Sequence, residues 1–248
     1  MGGNLLTRRI VYAAAIIFLA VNAALLVAIA RTHPALWSEG QVPGLDFAAF
    51  WSASWMTLNG EFADAYVREL LRPVQAEATG DTAFSPWLYP PTFVLYILPL
   101  ALVSYSLAYL GWVAATFSAF AGAVARIVPG ERTILLLLAF PGTVVNVAAG
   151  QNGFLTAALF GAALVCLEKR PILAGVFFAL LSYKPQFGLL IPFVLLAGRN
   201  WTVFASASIS TLLLIAASLG LYGTAPWLAF IERIPASREL YEIPQLWE

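Results

Sequence analysis

Charge is what this chain most lacks. Only 10% of its 248 residues are charged, against about 25% in a soluble domain. Acids and bases balance at 13 each, so no basic field is available to draw in nucleic acid. One cysteine, Cys166, excludes an internal disulfide and reads as a structural thiol in an apolar run. One histidine, His33, excludes a multi-histidine metal site and reads as a solvated residue just past a first span. No glycine-rich phosphate loop, serine nucleophile motif or internal repeat of clear period is visible. What is abundant is apolar: 61% hydrophobic residues and a mean hydropathy of +0.83. The expected class is an all-α, polytopic transmembrane helical bundle.

Arg8 and Arg9 precede an apolar run at 10–30. A signal peptide's apolar region is roughly 7–15 residues, and this run is long enough to span. It is expected to be an uncleaved first helix with a cytoplasmic N-terminus. Residues 32–86 then form an extracytoplasmic loop. Asp46 follows the Pro43-Gly44 turn and can cap a helix at 47–58. That helix, rich in Phe47, Phe50, Trp51 and Trp55, is too short to span and suits the membrane interface. A second loop helix at 61–78 is expected to be interrupted near Pro73. Glu61 and Asp64 read as solvated acids at its start.

Apolar runs follow at 87–103, 105–125, 133–140, 154–167 and 202–222. Placing Arg126, Arg132, Lys169, Arg170 and Arg199 in the cytoplasm satisfies the positive-inside rule. Gly150-Gln151-Asn152, Lys184 and the segment 223–248 then share the outer face with Asp46. This needs an odd number of crossings between 87 and 125, so one of the two runs there is expected to be re-entrant or interfacial. The whole, 1–248, reads as one membrane domain in a plasma or inner membrane.

The most informative segment is 171–199. Two apolar half-helices meet at Tyr183-Lys184-Pro185-Gln186, and Lys184 is one of two lysines in the chain. A cation in such a stretch costs roughly 2.5–3.5 kcal/mol on insertion scales unless it is paired. A phosphate is the natural partner, and a charge at a helix break is a functional-site hypothesis by default.

Four other features could carry chemistry. Asp46, between the interface and a cavity, is either a helix cap or a general base, and the roles can coexist. Gln151 and Asn152 offer amides that suit sugar hydroxyls or phosphate, or simply cap a helix. Tyr89-Pro90-Pro91 is a ligand contact or an interfacial helix start. Trp51, Trp55, Trp87 and Tyr89 stack on a sugar or form an aromatic belt.

Four stretches stand in a characteristic order: Asp46-Phe47-x-x-Phe50-Trp51-x-Ala53; Tyr89-Pro90-Pro91 leading to Leu98-Pro99-Leu100; Gly150-Gln151-Asn152; and Ala174-Gly175 leading to Tyr183-Lys184-Pro185-Gln186. In this the chain resembles a family of GT-C type membrane glycosyltransferases. That family contains the polyprenol-phosphate-mannose-dependent α-mannosyltransferases of phosphatidylinositol mannoside synthesis. The resemblance implies an outer-face cavity and a sugar, such as mannose, carried on a polyprenyl phosphate. The acceptor would be a lipid or glycan, with membrane lipids around the protein and no cofactor. It maps the general base onto Asp46 and places Lys184 with Gln151 near the donor phosphate. Asn152, Tyr89 and Trp51 complete the expected substrate-binding set. Members are usually longer, so the chain is expected to be C-terminally truncated. The alternatives are a lipid or anion transporter or flippase, and a non-catalytic homologue.

Overall fold

The computed structural model describes residues 5–32, 44–80, 83–130 and 132–239. His33 and the last nine residues lie outside the described residues. Among the described residues every regular element is helical. The elements are α1 (Leu5–Thr32), α2 (Leu45–Leu58), α3 (Arg68–Thr79), α4 (Val94–Ile97), α5 (Tyr105–Ile127), α6 (Thr133–Ala139), α7 (Pro141–Ala149), α8 (Gly153–Cys166), α9 (Pro171–Leu180), α10 (Pro185–Ala197), α11 (Trp201–Tyr222) and α12 (Ala225–Glu239).

Among the described residues two helices, α5 and α11, are long and apolar enough to cross a membrane. On α11, Ile209, Leu212 and Leu213 each leave about 60% or more of their surface uncovered. Such an apolar flank is stable against lipid and unfavourable in water. With the overall composition, this gives the chain its membrane character.

The apolar run at 87–103 is not one helix. It is a 3₁₀ turn at Pro91–Phe93, the single turn of α4, and a second 3₁₀ turn at Leu98–Leu102. Pro90, Pro91 and Pro99 remove the backbone donors that a continuous helix needs. Between 87 and 127, α5 is therefore the helix of spanning length.

Two other expectations are corrected. Asp46 does not cap α2. Gly44 holds the cap position, and Asp46 stands in the first turn with no side-chain cap bond at that terminus. The second loop helix divides at Val67, where the backbone is extended, and not at Pro73, which lies inside α3. The stretch after α11 carries a 15-residue helix, α12.

The aromatic residues of α2 divide: Trp55 is exposed, and the two phenylalanines face protein. Phe47 and Phe50 are fully buried and form the centre of the larger core. Phe47 meets Tyr105 and Tyr109 edge-on at 5.4 and 5.5 Å, and Phe50 meets Phe93 at 5.4 Å and Trp112 at 5.6 Å. Edge-to-face pairs of this kind each contribute about 1 kcal/mol beyond area burial. A second core joins α8, α9, α10 and α11 through Ala163, Ala174, Phe178, Leu195 and Val203. There α9 crosses α11 so closely that a Cβ on Gly175 would lie 2.7 Å from the Val203 carbonyl oxygen. Small residues permit such crossings where lipid supplies no hydrophobic drive. At the other edge, Asn22 of α1 donates to the Leu138 carbonyl at 3.0 Å, and the Arg132 guanidinium sits 4.0 Å over the Tyr12 ring.

Candidate active site

The site begins with a turn that only glycine can make. Gly150 ends α7 in the left-handed region, at φ 64°. A Cβ there would stand 2.5 Å from Cβ of Phe47. The Tyr109 hydroxyl donates to the Val147 carbonyl and the Trp112 indole donates to the Gly150 carbonyl at 3.2 Å. These bonds tie the α7–α8 turn to α5, and Gly150 packs against Phe47 of α2. The next residue, Gln151, is thereby delivered to Asp46 across a separation of 105 residues, and its Nε2 donates to Asp46 Oδ2.

The other carboxylate oxygen is also held. Ser85 Oγ donates to Asp46 Oδ1 at 3.2 Å. Ser85 is fixed in turn by Gln75, whose amide donates to the Ser85 carbonyl at 2.6 Å and accepts from the Ser85 amide at 3.0 Å. Gln75 is completely buried on α3. An amide that makes both bonds of its backbone partner is satisfied at little cost. Asp46 is therefore oriented by a neutral network, with no cation against it among the described residues. It lines a cavity of about 250 Å³ with Phe50, Ser85, Leu88, Tyr89 and Gln151.

The second half of the site is the break between α9 and α10. Tyr183 is buried, stacks on Phe93 at 4.5 Å and shares a hydrogen bond of 2.8 Å with Thr156 of α8. It anchors the chain immediately before Lys184. Lys184 is extended, at φ −110° and ψ 97°, and Pro185 opens α10 at the position where proline's missing donor costs nothing. Lys184 is half-buried, and that desolvation pushes its ammonium below the usual lysine range. It lines a second cavity, about 350 Å³, with Leu88, Tyr89, Gln186, Phe230 and Arg233.

Leu88 and Tyr89 belong to both cavities. The carboxylate at 46 and the ammonium at 184 thus open onto adjoining hollows with a common wall. The Tyr89 ring is held against Phe93 at 4.7 Å, Trp87 at 5.3 Å and Phe50 at 5.5 Å.

Two expected ligand contacts are absent from the linings of both cavities. Trp51 donates its indole N–H to the Val103 carbonyl at 3.1 Å and packs on Tyr105 at 6.2 Å, away from both cavities. Asn152 is fully buried, and its amide has no hydrogen-bond partner among the described residues. Sequence reasoning overlooked Ser85, Gln75 and Arg233. A serine before Pro86, a glutamine on a polar helix and an arginine in a mixed tail carry no local signal of a shared site.

Both hollows are small and polar-edged, and they open between helices of an apolar chain. The sequence profile of Glycosyltransferase family 87 matches residues 87–246, well over half of the chain. The chain belongs to that family, and so to the membrane glycosyltransferases. The match takes in Tyr89, Gln151, Asn152, Lys184 and Arg233, and Asp46 lies before its first residue. No curated protein and no solved structure matches the chain.

Proposed function

We propose that this is a multi-pass glycosyltransferase of the GT-C type. It moves a hexose, mannose being the foremost candidate, from a polyprenyl phosphate to a lipid or glycan acceptor at the extracytoplasmic face. The observation that carries the proposal is the pair of adjoining hollows, one with a positioned carboxylate and one with two cations. A sugar phosphodiester is already an activated donor. Transfer needs a base for the incoming hydroxyl and positive charge for the departing phosphate. Asp46 is the base, and Gln151 and Ser85 aim it. Lys184 faces the phosphate. Tyr89, on the common wall, is placed to meet the saccharide between them.

The reading is tested by mass spectrometry of lipid that copurifies with the chain. A polyprenyl phosphate or its glycoside is the expected species. Neither lipid bound, and no transfer from such a donor, would sink the proposal. Lys184→Ala should raise the dissociation constant of the donor about tenfold and leave that of the acceptor unchanged, as loss of a charged hydrogen bond does. Titrating each substrate separately checks this. The sign with pH follows from the lowered lysine value. Anion affinity is complete where the ammonium is protonated and falls as pH rises through its pKa. That fall begins at a lower pH than for a solvated lysine.

A further inference from the structure

Arg233 is the unassigned residue of the second hollow. It reaches that hollow by a traceable route. The Trp227 indole donates to Ser218 of α11 at 3.1 Å, and Phe230 packs on Tyr66 at 6.2 Å. These contacts set the rotation of α12. Phe230, Arg233 and Ile234 fall at i, i+3 and i+4, on one helix face, and all three line the Lys184 cavity. Lys184 comes from a different element, at the N-cap of α10. The residues lining this hollow include two cations and no acid, and among the described residues neither cation is in an ion pair. The N-terminus of the 13-residue α10, with Pro185 and Gln186 at the lining, adds partial positive charge on the same side.

Charge then discriminates between two forms of one lipid. A sugar–phosphate–prenyl diester carries a single negative charge. When the acceptor hydroxyl attacks the anomeric carbon, its proton passes to Asp46 and a new carbon–oxygen bond forms. The bond from the anomeric carbon to the phosphate oxygen breaks, and its electron pair stays on that oxygen. The phosphate becomes a monoester with close to two negative charges at neutral pH. One cation matches the donor, and two match what is left behind.

We infer that Lys184 and Arg233 form a two-cation clamp for a phosphate dianion, so that this hollow holds a prenyl phosphate monoester more tightly than the glycosylated diester. Arg233, with its fixed fork of donors, grips the two oxygens that share the developing charge. The clamp stabilises departure of the phosphate and makes the spent carrier a competitive inhibitor against the donor. The inference rests on the proposed donor class.

The test uses the purified full chain in detergent, with a short-chain prenyl phosphate and its mannosyl diester as probes. At about pH 8, where the monoester is fully ionised, the native chain should prefer the monoester by about tenfold. Arg233→Gln should bring the ratio close to one, and Arg233→Lys should restore part of it. Lys184→Gln should lower the ratio independently, which covers the case in which Arg233→Gln does not fold. Equal affinities in the native chain, or an undiminished ratio in a folded Arg233→Gln variant, would overturn the clamp and leave the transferase reading standing. Binding of neither probe would overturn both. Inorganic phosphate competing as well as the prenyl ester would overturn the lipid assignment.

Discussion

Asp46→Asn should abolish transfer and spare the fold. The amide is nearly isosteric and can still accept from Ser85, but it cannot take a proton from an acceptor hydroxyl. A positioned general base contributes about 10²–10⁴-fold, so turnover should fall by at least about a hundredfold. Copurified lipid and thermal unfolding in detergent should stay close to native, because the carboxylate is half-buried and no cation faces it among the described residues. The two-sided measurement matters. Lost turnover with retained lipid assigns the chemistry to this oxygen pair, and full activity in the variant removes Asp46 from the mechanism. Lost turnover with a lost fold would instead make Asp46 a structural hub of α2, α7 and the Ser85 segment.

Gly150→Ala should damage both fold and activity. The residue would be held at φ 64° with its new methyl 2.5 Å from Cβ of Phe47. Left-handed strain and overpacking against a buried ring together put the cost at about 3 kcal/mol. Relief requires the α7–α8 turn to back away from α2. That movement withdraws Gln151 from Asp46 and weakens the Trp112 bond to the Gly150 carbonyl. A lower unfolding midpoint together with impaired transfer is the expected pair of results. Native values of both would show that the turn can move without consequence. The outcome separates a carboxylate that must be aimed from one that needs only to be present.

The punctuation of the chain was legible. Gly150 and the break at Lys184-Pro185 stand where backbone rules put them, because glycine and proline act through their own covalent geometry. The all-helical class was legible from composition. The facing of α2 was not. Rings at a membrane surface and rings in a core have the same composition, and only their mutual packing around Phe47 and Phe50 distinguishes the two. The cap went to Gly44 since its carbonyl accepts from both Ala48 and the Tyr105 hydroxyl. That choice frees Asp46 to face Gln151. Gln75 and Arg233 were invisible because nothing local marks a buried amide or a cavity-facing guanidinium.

The wall between the two hollows has a covalent basis as well as a packed one. Leu88 and Tyr89 are followed at once by Pro90 and Pro91, and Pro90 is held at φ −63° and ψ 156°. Two consecutive pyrrolidines leave that stretch little torsional freedom. The divider is a stiff sill and not a hinged flap, and repacking the rings around it would leave its course unchanged.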